Sequence, residues 1–127
     1  MTEHTVHPRL VVEDAAAAIN FYQAAFGGEE LLRVAEPSGK VVQAEVRIGQ
    51  NVIYLTEHDG QFNFSPSSVG GSPVLLTISV ADADSVGQAF LANGGTEIIP
   101  IDDRPYGLRE GRLQDPAGHL WIISQPL

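Results

Sequence analysis

The chain has 127 residues and 43 % apolar side chains, enough for one packed domain or two small modules sharing a core, and too apolar for global disorder. Its formal charge of −9 argues against binding nucleic acid or an anionic membrane, both of which want a basic surface. With no Cys, disulfides, thiolate nucleophiles and Cys-built zinc or iron–sulfur sites are excluded.

The opening MTEHTVHPR holds no apolar segment of the leader type. No stretch approaches the roughly 18 apolar residues of a membrane span. A soluble, cytoplasmic protein is the expectation. The first strand is predicted from Val6 to Val12. Asp14 then stands where a carboxylate accepts from the free amides of a helix start, and AAAAINFYQAAF follows with helical spacing at Ala18, Phe21, Tyr22 and Ala25. Gly27-Gly28 suits a left-handed helix end. Three strand-like runs follow, Glu30–Ala35, Lys40–Ile48 and Asn51–Thr56, with a turn at Pro37-Ser38-Gly39-Lys40 and a tight hairpin at Gly49-Gln50-Asn51.

The order then repeats. A strand from Val74 to Val80 leads to Asp82, a second Ala-rich helix and Gly94-Gly95. Strands are predicted at Thr96–Ile101, Leu108–Gln114 and His119–Gln125, the last two joined by the turn Asp115-Pro116-Ala117-Gly118. Each half therefore reads βαβββ, and neither buries its sheet face alone. The expected organisation is a first module over 1–57, a linker or lid over 58–72 and a second module over 73–127, forming one domain. The linker is rich in Gly, Ser and Pro and carries Phe62 and Phe64.

Alternation sorts side chains into faces. Leu10 and Val12 pack under the first helix, and Val74, Leu76, Ile78 and Val80 under the second. Val42, Ala44, Val46 and Ile48 form an apolar face. The opposite faces then carry His7, Arg9, Gln43, Glu45, Tyr54, Thr77, Ser79, Arg112 and Gln114, a polar floor with apolar Leu75 and Ile122 among them. Such a mixture is usual for a small-molecule site.

Two βαβββ modules, the second closing on DPAGHLW, resemble the vicinal oxygen chelate superfamily of glyoxalases, bleomycin-resistance proteins and extradiol dioxygenases. The stretches AAAAINFYQAAFGGEELLR and YGLREGRLQDPAGHLW resemble its PhnB-like branch. The resemblance covers nearly the whole chain. It implies an α+β fold with the modules forming a cup-shaped mixed sheet, in a homodimer. In metal-dependent members of the superfamily, four ligands enter the cup from the first and last strands of each module, His or Gln from a first strand and Glu from a last one. Carried onto this chain, those positions fall on His7, on Leu75, on Ile122 and on Ile53 or Tyr54. Only His7 is a fair ligand.

Two functions stay open. One is a metal-free, cofactor-free protein that sequesters a hydrophobic or cationic, antibiotic-like molecule in the cup or a dimer crevice. Its contacts would come from His7, Arg9, Gln43, Glu45, Tyr54, Thr77 and Arg112, with Phe62, Phe64, Tyr106 and Trp121 as aromatics. The other is a lyase, isomerase or dioxygenase using one divalent metal ion, or an acid–base pair, at His7 and Glu45. Each residue also has a structural reading. Glu45 pairs with Arg9, Arg47 or Arg112, Trp121 packs in the core or an interface, and His119 bonds a neighbouring carbonyl or lies exposed. Tyr106 and Arg109 line the cup rim or brace strands, Asp102 and Asp103 are loop charges, and His4 and His58 are solvated.

Overall fold

A computed structural model describes residues 3–127, so the first two residues of the first module lie outside the described residues. The elements are β1 (Arg9–Val12), α1 (Ala15–Phe26), β2 (Glu29–Ala35), β3 (Val41–Ile48), β4 (Asn51–Glu57), α2 (Pro66–Val69), β5 (Leu75–Ser79), α3 (Ala83–Ala92), β6 (Thr96–Asp103), β7 (Leu108–Gln114) and β8 (Leu120–Pro126). The fold is α+β, built from two βαβββ modules. Their strands form two four-stranded sheets, ordered β1-β4-β3-β2 and β5-β8-β7-β6. In each, the first strand pairs parallel with the last, and the remaining pairs are antiparallel.

The helix starts follow local chemistry. Asp14 accepts from Ala17 N–H and Asp82 from Ser85 N–H, so both carboxylates cap a first turn. A second free amide is taken from the end of each module's last strand. Glu57 Oε2 accepts from Ala15 N–H at 2.9 Å, and Gln125 Oε1 from Ala83 N–H at the same distance. The helix ends differ. Gly27 closes α1 at φ 68°, whereas α3 closes on Asn93 at φ −103°, with the left-handed residue displaced to Gly94.

Helix α1 lies against β3, and α3 against β6 and β8, while the two helices pack on each other. Phe21 meets Phe90 edge-on at 4.8 Å, and Tyr22 and Phe26 reach the Trp121 ring at 5.7 and 4.8 Å. Both sheets therefore turn one face to a shared helical layer, with Val12, Val46, Leu55, Leu113 and Ile123 fully buried there. The other face of each sheet looks away from that helical layer.

The interface is latched by one carboxylate. Asp115, almost fully buried, accepts from the Tyr22 hydroxyl, from Trp121 Nε1 at 2.9 Å, and from the Ala117 and His119 amides at 3.0 and 2.9 Å. Burial, then the Asp115 charge, holds the Tyr22 hydroxyl well above the usual phenol range, so it stays a donor. His119 Nε2–H donates to the Val11 carbonyl at 2.8 Å and so covers the free edge of β1.

Some details depart from the alternation pattern. Val41 is buried and Val42 is 36 % exposed, because the β2–β3 register slips between Val34 and Ala35 and reverses the faces at the start of β3. Val74 precedes β5 and is exposed. Asp102 and Asp103 are strand residues of β6, tied to Arg109, which also reaches Asp84 at 3.0 Å; Arg109 thus braces β6, β7 and α3.

Candidate ligand-binding site

The outward face of the first module is ordered by strand register. Arg9 pairs with Tyr54, Tyr54 with Glu45, and Glu45 with Leu32, giving one row across the sheet. Tyr54 faces outward because Ile53 and Leu55 on either side are buried under α1. Its ring is a platform: His7 stacks on it at 4.6 Å and 15°, and the Arg9 guanidinium carbon lies 5.6 Å from its centre. His7 Nδ1 sits 2.8 Å from the Val52 carbonyl, which only accepts, so Nδ1 carries the hydrogen and Nε2 is left free. Gln43 is one strand position-pair further along, its Oε1 closed off from solvent and without a donor. The ion pair expected for Glu45 does not form. Arg47 goes to Glu29 at 3.0 Å, Arg9 covers Tyr54, and Arg112 belongs to the other sheet.

The outward face of the second module carries the corresponding row. Thr77 pairs with Ile122, Ile122 with Arg112, and Arg112 with Ile99. Arg112 thus stands where Glu45 stands in the first module. Tyr106 donates to Glu110 at 2.6 Å on the same face as Arg112, and that bond raises the Tyr106 phenol above its ordinary value. Glu110 lies two residues before Arg112 on β7 and so shares its face; its bond to Tyr106 had no signal in the sequence.

The floor expected from sequence is therefore divided. His7, Arg9, Gln43, Glu45 and Tyr54 share one face, while Thr77, Tyr106 and Arg112 share the other. Trp121 points inward, is 4 % exposed and is spent on Asp115; it belongs to the core, because β8 alternation puts it opposite Ile122. Phe62 and Phe64 lie in the linker, exposed, with Phe64 edge-on to His58 at 6.0 Å. This segment is tied down. His58 Nδ1 accepts from Ser65 N–H at 3.0 Å, the buried Ser65 hydroxyl donates to Glu13, and Pro66 lies against Gly118. His58 is a bracing residue rather than a solvated one.

Asp59 accepts backbone N–H bonds from Asn63, Gln61 and Phe62, which pull its carboxyl down to about 2. A carboxyl lowered in the folded state contributes order above the usual carboxylate range and loses it as pH falls through about 2. The Gln61, Phe62 and Asn63 amide resonances are therefore expected to hold their positions down to pH 3.5 and collapse toward random-coil values below about 2.5, well before the β-sheet amides move. Simultaneous movement of both sets would show that Asp59 does not hold the loop.

A cleft of about 850 Å³ opens beside β5, between it, residues 5–8 and the β3–β4 turn. It brings His7 from the first face and Thr77 from the second to one space, floored by Phe26, Ile53, Ile78 and the edge of Trp121. In the other half of the molecule the equivalent space is filled by the Asp115 turn packed on Tyr22. The cleft stays open because the first module has the shorter Gly49-Gln50 turn and Ile53 where the second has Trp121. Ile53 is one of the two alternatives for the last-strand position of the first module, whereas Phe26 had no signal in the sequence beyond helical spacing.

The register also fixes the last-strand position of the first module. Arg9 pairs with Tyr54 as Thr77 pairs with Ile122, so Tyr54 corresponds to Ile122. The four positions are thus His7, Tyr54, Leu75 and Ile122: one imidazole, one phenol and two hydrocarbons. Among the described residues no three His, Asp or Glu side chains gather where an ion would bind. That donor set does not fit a catalytic divalent metal, which needs three protein ligands.

Residues 4–123 match the Glyoxalase/Bleomycin resistance protein/Dioxygenase superfamily. The chain belongs to this superfamily. An uncharacterized protein of Mycobacterium tuberculosis (strain ATCC 25618 / H37Rv) is 39 % identical over 98 % of this chain and 76 % of its own length. Two solved structures share the superfamily fold. TioX from Micromonospora sp. ML1 is 24 % identical, with a TM-score of 0.72 over 98 % of this chain and 97 % of that one. A putative 3-demethylubiquinone-9 3-methyltransferase, PhnB protein, from Bacillus cereus is 20 % identical, with a TM-score of 0.75 over 96 % and 99 %. As in the superfamily at large, the fold is a scaffold on which the site decides the chemistry. No helix among the described residues is long and apolar enough to cross a membrane.

Proposed function

We propose that this superfamily member is a homodimeric, cytoplasmic small-molecule-binding protein without a resident metal, which sequesters an apolar or cationic, planar molecule between two copies. The observation that carries the reading is the division of the polar residues between two outward faces, one on each sheet. Each bears functional groups with no partner among the described residues, and each exposes apolar side chains, with Leu32, Leu75 and Ile99 about 40 % exposed. A first face laid against the second face of another copy closes both into a crevice. Tyr54, with its stacked imidazole and guanidinium, supplies a flat wall, and Glu45 a carboxylate for a cation. The Leu75 and Ile122 positions make the middle of the crevice apolar.

The free Nε2 of His7 also favours a second reading, an enzyme with His7 as general base. Glu45 would then act apart from it, since β4 separates β1 from β3 by two strand spacings, about 10 Å at the backbone.

Elemental analysis tests the proposal. Protein purified without chelator, and again after exposure to Zn, Ni, Mn and Fe(II), is expected to hold far less than one metal per chain and to elute as a dimer on light-scattering chromatography. One tightly held ion per chain, lost in His7→Ala, would overturn the metal-free reading; a monomer at all concentrations would overturn the crevice.

A further inference from the structure

We propose that Arg112 is the anchor for a monoanionic oxyanion, a carboxylate on an apolar body, in the molecule held on the second face. This rests on the reading of the outward faces as the ligand site; it keeps the apolar body of that reading and puts an anionic head group, in place of the cationic alternative, on the second face.

Arg112 sits between Ile122 and Ile99 in its row, neither of which offers a side-chain acceptor. Its Nε–H is closed off from solvent and has no acceptor among the described residues. A buried donor left unmade costs about 1–3 kcal/mol, more when charged; the terminal nitrogens of Arg112 also make no hydrogen bond among the described residues, so an acceptor entering the adjoining cavity meets them first and reaches Nε–H as the side chain turns toward it. Scarcity of acids is not the cause. The chain has 16 Asp and Glu against 7 Lys and Arg, and Arg33, Arg47 and Arg109 all find carboxylates.

A cavity of about 110 Å³ opens at Arg112, bounded by Ile99, Ile122, Gly111, Arg104, Tyr106 and Glu110. Arg104 directs its guanidinium at the Glu110 and Pro100 carbonyls, so it braces backbone while leaving its charge uncancelled. Glu110 is engaged by Tyr106. Two guanidinium charges against one carboxylate leave a single positive charge, which suits a monoanion over a phosphate dianion. The planar guanidinium matches a planar carboxylate. Ile99 and Ile122 flank that group with hydrocarbon, which selects an apolar body behind it.

The Arg112 Nε–H resonance of the ¹⁵N-labelled full chain reads this directly, assigned by its loss in Arg112→Lys. Benzoate and benzamide, alike in shape and unlike in charge, are titrated in parallel. Benzoate is expected to move the Nε–H proton downfield and saturate on the order of 1–10 mM, with benzamide at least about tenfold weaker. No Nε–H response to benzoate, or an equal response to benzamide, overturns the proposal. So does an Nε–H already far downfield without benzoate that returns in Glu45→Gln, since the acceptor is then Glu45 of the partner subunit. If both probes move face amides at Thr77 and Ile122 equally without touching Nε–H, the anchor fails and the face reading stands. Shifts confined to the cleft of Phe26 and Trp121 defeat both.

Discussion

Asp115→Ala is expected to lower the stability of the chain by about 4 kcal/mol and its Tm by roughly 15 °C, the largest effect of any single polar substitution here. One carboxylate receives four N–H or O–H groups, from Tyr22, Trp121, Ala117 and His119. Removing it leaves the Tyr22 hydroxyl and the Trp121 indole N–H buried without an acceptor, and loosens the turn that carries His119. It also frees the edge of β1, because His119 is the group that covers the Val11 carbonyl. Tyr22→Phe removes a single donor and leaves Asp115 three others, so about 1–2 kcal/mol is expected from it. Thermal melts and urea titrations of both variants check the ordering. Near-equal losses would mean that the latch resides in the Tyr22 bond alone and that the turn stands without Asp115.

Gly111→Ala is expected to cost about 3 kcal/mol and to disturb the second face while leaving the first intact. A Cβ at Gly111 would stand 2.6 Å from both the Ile101 nitrogen and the Ile99 oxygen. Both are backbone atoms of β6, which cannot swing aside as a side chain would. This closeness reflects the irregular register of β6, which slips between Ile99 and Asp102 opposite Gly111. The same irregularity sets Arg112 opposite Ile99. The Arg112 Nε–H resonance is therefore expected to shift in the variant, with those of the His7 ring unchanged. Wild-type stability in Gly111→Ala would show that β6 relaxes freely and that its bulge does not position Arg112.

Several features were legible because they are settled within a few residues. Asp14 and Asp82 cap helices by accepting amides three residues on, and the Asp115-Pro116-Ala117-Gly118 turn is closed by the backbone and side chain of Asp115 itself. Alternation placed His7, Arg9, Glu45, Tyr54, Thr77 and Arg112 away from the helices, since successive strand side chains must point to opposite sides. The repeat of these signals was enough to set the module, its order and its duplication. Local pattern failed where strand pairing itself shifted, as at Val41 and Val42, and where a linker read as Gly, Ser and Pro folded into α2 pinned by Ser65 to Glu13.

What the sequence by itself determined, then, is two βαβββ modules and which side chains each turns outward. Only the tertiary structure decided that the modules meet helix to helix. That choice depends on Phe21 fitting Phe90, and on Tyr22 reaching Asp115 across 93 residues, and no periodicity encodes such complementarity. It divides the polar residues between the outward faces of two sheets, so Glu45 and Arg112, equivalent in the repeat and opposite in charge, have no ion-pair partner among the described residues.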